Sequence, residues 1–241
     1  MLTVGSLFSG IGGLDLGLER AGMTVRWQSE IDPYACKILK KHWPEVPNHG
    51  DIKQIDWRTV ELVDVICGGY PCQPFSTAGK RRGTDDPRHL WPWVRDAISA
   101  LRPRYAILEN VRGHLSMGGT TVIGELAEIG YDAEWRVVSA AGLGAPHRRD
   151  RLIIMAYPNS QGWQGRIWPQ EIVSTFSGFD LSGAHCGWGD NWKSEPEVGR
   201  VADGVSHRVD RLRGLGNAVV PQVAEYIGRL VMAAELDNAQ T

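Results

Sequence analysis

Thr3-Val4-Gly5-Ser6-Leu7-Phe8-Ser9-Gly10-Ile11-Gly12-Gly13-Leu14 reads as a buried strand, a glycine-rich turn and the opening of a helix. The β-branched and apolar start suits a strand covered on both faces. The small residues that follow let the backbone bend sharply and approach a ligand. Outward from this unit, Val25 to Ser29, Val63 to Cys67, Tyr105 to Leu108 and Leu152 to Ala156 have the same strand character. Gly13 to Ala21, Pro33 to His42, His89 to Leu101 and Thr120 to Ile129 place apolar residues at helical spacing. Strand alternating with helix predicts an α/β fold, a doubly wound and mostly parallel sheet, with ligands at the carboxyl ends of its strands.

With 241 residues, 42% of them hydrophobic and 22% charged, the chain can bury one sizeable core. Residues 1–157 are expected to form the main domain, 158–197 an irregular insert rich in Gly and Ser, and 198–241 a segment returning to the main domain through a helix from Val219 to Leu236. The insert's tryptophans, Trp163, Trp168, Trp188 and Trp192, read as its own miniature core. A net charge of −2 gives no global attraction to a polyanion, so any nucleic-acid surface must be a local patch. No apolar run approaches the roughly 18 residues that cross a bilayer, and Met1 leads straight into a strand pattern, so no membrane role and a cytoplasmic address are expected. Cys36, Cys67, Cys72 and Cys186 show neither metal-ligand spacing nor the density of a disulfide scaffold; each is read as a thiol, with no metal.

Glu30 ends the second strand, about twenty residues beyond the glycines, where a carboxylate accepts hydrogen bonds from ribose hydroxyls. The pair suggests an adenosine-containing cofactor without separating a nicotinamide dinucleotide from S-adenosyl-L-methionine, and tight turns also recruit glycine for steric reasons alone. Asp51, where a third strand should end, is either a partner for an adenine amine or a solvated turn residue.

The loop Gly68-Gly69-Tyr70-Pro71-Cys72-Gln73-Pro74-Phe75-Ser76 follows the strand Val63 to Cys67. Pro71 and Pro74 stiffen it on both sides of Cys72, whereas Cys67, inside the strand, takes a core role. Together with Phe8-Ser9-Gly10-Ile11-Gly12, Glu109-Asn110-Val111, His147-Arg148-Arg149-Asp150-Arg151 and Arg211-Leu212-Arg213-Gly214-Leu215-Gly216-Asn217-Ala218, this order of motifs resembles the DNA cytosine-5 methyltransferases of bacterial and phage type. The resemblance covers about Leu2 to Tyr157 and resumes from about Glu195 to Leu230.

The resemblance implies methyl transfer from S-adenosyl-L-methionine to carbon 5 of a cytosine flipped out of duplex DNA. Cys72 would be the nucleophile, Glu109 the group at N3, and Arg149 and Arg151 the groups steadying the cytosine oxygen. The cofactor shell would comprise Phe8, Gly10, Ile11, Gly12, Gly13, Leu14, Glu30, Ile31, Asp51, Ile52, Gly69, Pro71, Leu90, Asn217 and Ala218. Lys80, Arg81, Arg82 and Arg88 would contact DNA phosphates. Burial beside the flipped base should raise the Glu109 pKa. Two departures stand out: His147 replaces the usual glutamine, and Ala218 a common serine. Since one chain supplies every catalytic group, a monomer is expected. A transfer-RNA methyltransferase, a catalytically silent DNA-binding relative and a nicotinamide oxidoreductase are the competing readings; the last gives no reason for Pro71-Cys72-Gln73 or the arginines.

Overall fold

A computed structural model describes residues 1–71, 90–116, 118–159, 167–168, 214 and 217–238. In chain order it contains β1 (Thr3–Leu7), α1 (Gly13–Arg20), β2 (Thr24–Ser29), α2 (Pro33–His42), a 3-10 turn (Ile52–Gln54), β3 (Val65–Gly68), α3 (Trp91–Leu101), β4 (Tyr105–Val111), a second 3-10 turn (Arg112–Ser116), α4 (Gly119–Glu128), β5 (Tyr131–Ser139), a third 3-10 turn (Ala141–Leu143), β6 (Asp150–Pro158) and α5 (Pro221–Asn238). The strands form one sheet in the order β2-β1-β3-β4-β6-β5. β2, β1, β3 and β4 run parallel, and β6 is antiparallel to both β4 and β5.

Strand residues alternate between two cores, as a period of two requires. On β4 and β6, Ile107, Ile153 and Met155 face α1 and α5 with Leu14, Leu18, Val223 and Ile227. Ala106, Leu108, Leu152 and Ile154 face α3 and α4 with Trp91, Val94, Ile98 and Leu126. Both faces are covered, hence the nearly unbroken apolar strands. On the first face α5 lies close against α1, because a Cβ on Gly17 would overlap the Pro221 carbonyl and the Ala224 methyl.

Two features add to the sequence reading and two correct it. β5 has no counterpart in the sequence reading: it is an edge strand whose Asp132, Glu134 and Arg136 alternate with less polar residues, a pattern unlike a strand buried on both faces. β6 turns back on β5 through a short connection, so it joins the sheet antiparallel, as strands linked without a crossover helix must. No third strand ends at Asp51; the chain makes only a single bridge, Gln28 to Asn48, and Asp51 then caps the Ile52–Gln54 turn by accepting from the Lys53 N–H at 3.0 Å. Within the insert, Ile167 and Trp168 are buried in the main core with Tyr157, so Trp168 does not serve a separate miniature core.

Candidate active site

The order β2-β1-β3 places a topological switch between β1 and β3, where sheets of this kind open a crevice outside the strand ends. Leu7 pairs with both Ser29 and Gly68, and Gly68 pairs with Leu108. Glu30, Phe8, Gly69 and Glu109 therefore follow one another along a single edge.

On the β1 side, Phe8, Gly10 and Gly12 all adopt positive φ (52°, 56° and 84°), and Gly12 caps α1. Non-glycine residues rarely occupy that region, so Phe8 is held there by its surroundings. Glu30 supplies part of the hold. Its Oε2 accepts from the Gly10 N–H at 2.8 Å, and its Oε1 accepts from Ile31 and Asp32 at 2.8 and 2.7 Å. Each carboxylate oxygen has two acceptor sites, so Oε2 keeps one for a ligand hydroxyl. Ile31 stands beside it, 67% exposed. Leu14 and Ile52 point into the two cores, one on each face, and offer the edge backbone only. Asp51 and Leu90 are half-buried, the latter at the start of α3.

Beneath the turn lies a carboxylate that sequence reading did not single out. Asp15 is wholly buried and accepts from Ser6 Oγ at 2.9 Å and Gln28 Nε2 at 2.8 Å. Burial pushes its pKa up to about 6. Cys67, on the same face, is a buried thiol as expected.

On the β4 side, Glu109 is 8% exposed and its Oε1 meets Arg151 Nε at 2.7 Å. Its Oε2 lies over Gly69, 2.8 Å from where a Cβ would stand, so only glycine at that position leaves the carboxyl room. Burial raises the Glu109 pKa more than the nearby Arg151 and Arg149 lower it. Asn110, unassigned in the sequence reading, is buried and donates from Nδ2 to the Tyr70 carbonyl at 3.1 Å, which fixes the backbone immediately before Pro71. Its position next to Glu109 was the only signal for it.

Arg149 takes a different place from Arg151. Its Nη2 donates to the Ala218 carbonyl at 2.7 Å, tying the loop before β6 to the final motif. That motif crosses the start of α1, where a Cβ on Gly13 would overlap the Val219 carbonyl, and Gly214 lies against Ile11. Asn217 is exposed beside it. Past Arg151, a cavity of about 550 Å³ is lined by Arg112, Val137, Ser139, Arg148 and Asp150. Its two arginines, both exposed, share the Asp150 carboxylate at 3.6 and 3.0 Å.

Cys72, Lys80, Arg81, Arg82 and Arg88 lie outside the described residues, as does most of the 158–197 insert. Among the described residues, no cluster of His, Cys, Asp and Glu could hold a metal ion, and no helix is long and apolar enough to cross a membrane.

The profile of the C-5 cytosine-specific DNA methylases matches residues 2–196. The type II methyltransferase M.Eco47II of Escherichia coli is 42% identical over 165 residues, which cover 65% of this chain and 40% of that protein. The type II methyltransferase M.NaeI of Lentzea aerocolonigenes is 30% identical over 311 residues, covering 97% of this chain and 75% of that protein. An alignment of 311 residues on a chain of 241 means that M.NaeI has internal segments this chain lacks. The Dnmt2 methyltransferase of S. pombe shares the fold, with a TM-score of 0.60 and 23% identity over 71% of this chain and 54% of that one. The chain belongs to the C-5 cytosine-specific DNA methylase family.

Proposed function

We propose that the protein transfers a methyl group from S-adenosyl-L-methionine to carbon 5 of cytosine in duplex DNA, with Cys72 as nucleophile. The observation that carries this reading is the buried Glu109–Arg151 pair, set against Gly69 one strand from the glycine turn. Bound S-adenosyl-L-methionine supplies an electrophilic methyl group. The residues present fit it: Glu30 Oε2 keeps an acceptor site for a ribose hydroxyl, Ile31 offers exposed apolar surface for an adenine face, and the Gly10–Gly13 backbone, Asp51, Leu90 and the Asn217-Ala218 segment complete the rim.

Carbon 5 of cytosine is a weak nucleophile. Addition of the Cys72 thiolate to carbon 6 pushes electrons through the ring and makes carbon 5 enamine-like. Negative charge would collect at N3 unless a proton is supplied there. Glu109 is suited to supply it: Arg151 occupies Oε1, so a proton taken up would sit on Oε2, and burial raises the carboxyl's pKa against the two arginines. Such assistance is worth roughly two to four powers of ten in rate. After methylation, water accepts the carbon 5 proton, the N3 proton returns to Glu109, and the thiolate is expelled, restoring the aromatic ring.

Cys72 and the methyl donor must approach opposite faces of the ring, so the cytosine has to leave the duplex. Lys80, Arg81, Arg82 and Arg88 would hold the flanking phosphates, and the insert would read the site. The short insert fits either a small recognised sequence or relaxed specificity. The protein would act as a single chain in the cytoplasm.

The test is to incubate the protein with S-adenosyl-L-methionine and unmethylated DNA, digest to nucleosides and quantify 5-methylcytosine by mass spectrometry. The base should appear with the native protein and be absent with Cys72→Ala. Cofactor binding without any 5-methylcytosine would refute DNA as the substrate, and the same assay on transfer RNA would then decide between a different acceptor and a silent relative.

A further inference from the structure

Tyr70 is buried two residues before Cys72, and its Oη lies 2.8 Å from His114 Nε2. His114 is also buried, in the 3-10 turn that follows β4. Its Nδ1 is buried with no hydrogen-bond partner among the described residues. An unpaired buried N–H is rarer and costlier than an unpaired acceptor, so the ring is best read as the neutral tautomer with its proton on Nε2, donated to Tyr70 Oη. Leaving Nδ1 unmet costs stability that an apolar side chain would not.

What the pair holds gives that cost a reason. The Tyr70 ring packs edge-on to His114 at 5.5 Å between centroids and against Trp91 at 5.4 Å. Trp91 opens α3 and donates from Nε1 to Glu125 Oε2 at 2.9 Å. Tyr70 and Trp91 stand on either side of residues 72–89 in the chain, so one aromatic cluster joins the two ends of the segment that carries Cys72. Asn110 fixes the Tyr70 backbone from the third direction.

We propose that the His114–Tyr70 hydrogen bond is a positioning device for the nucleophile: His114 touches neither substrate nor cofactor, but sets the point from which the chain runs into Pro71-Cys72. The inference rests on the proposed function. A misplacement of about 1 Å at a reacting atom costs about a hundredfold in rate, so a hydrogen bond this close to Cys72 in the chain should be visible in catalysis.

The experiment compares single-turnover methylation of duplex DNA, S-adenosyl-L-methionine affinity by calorimetry and melting temperature across four substitutions. His114→Phe keeps the volume and removes the hydrogen bond; the rate should fall about ten- to hundredfold, with cofactor affinity within about twofold of native. His114→Gln carries a polar atom at the Nε2 position and should recover most of the rate, whereas His114→Asn mimics only Nδ1 and should not. In a Tyr70→Phe background, His114→Phe and His114→Gln should react equally fast. Native rate in His114→Phe, a Gln variant no better than Phe, or rate loss matched by equal loss of cofactor affinity and melting temperature would each overturn the positioning role. A native protein that methylates no DNA under the same conditions sinks the proposed function, and this inference with it.

Discussion

Two carboxylates on one sheet edge are held in opposite ways. Glu30, at the end of β2, is fixed by three backbone N–H groups from Gly10, Ile31 and Asp32. Glu109, within β4, meets a guanidinium with one oxygen and lies over Gly69 with the other. Backbone amides can neither titrate nor swing away, so they build a fixed receptor from a turn with three residues at positive φ. A guanidinium on one oxygen leaves a buried carboxyl able to hold a proton on the other. Under the proposed function, the β1–β2 side would serve recognition and the β4–β6 side proton transfer, although both present the same functional group.

Substitution can break this contrast. Glu109→Gln keeps shape and polarity but cannot carry the proton to N3; single-turnover methylation should fall by about two to four powers of ten, while cofactor affinity by calorimetry stays within about twofold. Glu30→Gln should do the reverse. Its amide nitrogen would confront a backbone N–H, so the glycine turn loosens, and affinity for S-adenosyl-L-methionine should weaken by about 2 kcal/mol, roughly thirtyfold, with a smaller change in rate at saturating cofactor. If both substitutions weakened cofactor binding equally, the two sides of the edge would be one coupled pocket and the division would fail.

A third substitution tests the support beneath the recognition side. Alanine is ordinarily the better helix former, by roughly 0.5–1 kcal/mol over glycine. At Gly17 the added methyl would overlap the Pro221 carbonyl and the Ala224 side chain. Gly17→Ala should therefore lower stability in urea by about 1–3 kcal/mol, against the sign that helix propensity alone predicts.

The parallel half of the fold was legible because each element carries its own signal. β1, β2, β3 and β4 are short apolar runs that two helical layers cover, and α1, α2, α3 and α4 start within about two residues of the positions that periodicity gives. β5 was not legible, since an edge strand with charged residues along it has no buried-strand pattern, and without β5 the antiparallel sense of β6 could not be foreseen. Glu30 and Glu109 stand out in the sequence because each follows an apolar run beside a motif. Asp15, Asn110 and His114 could not: their partners, Gln28, Tyr70 and again Tyr70, come from other elements, and only tertiary folding brings them into contact. Arg149 makes a contact that its motif does not announce. Its neighbour in the motif, Arg151, reaches Glu109, whereas Arg149 reaches the Ala218 carbonyl, 69 residues on in the chain.

Asp15 sharpens the contrast furthest, because it is a buried carboxyl with neutral donors instead of a guanidinium. Burial raises its pKa from an ordinary 3.8 to about 6, with Ser6 and Gln28 only partly opposing the rise. The folded protein therefore binds this proton more tightly than the unfolded chain, and the associated stability is fully present below about pH 4 and lost as pH rises through about 6. Above that pH the ionised group costs the fold about 3 kcal/mol. Asp15→Asn removes the charge and can keep an acceptor for Gln28, though its hydrogen bonds lose their charge assistance. The shift to about 6 already includes those hydrogen bonds, so the gain at pH 8 should be up to about 3 kcal/mol, and the difference in urea stability between the Asp15→Asn variant and the native protein should grow from near zero between about pH 4 and 6 and then level off. A difference that stays constant across that window would mean that Asp15 does not change its charge there, and that burial on the recognition side leaves a carboxylate as it finds it.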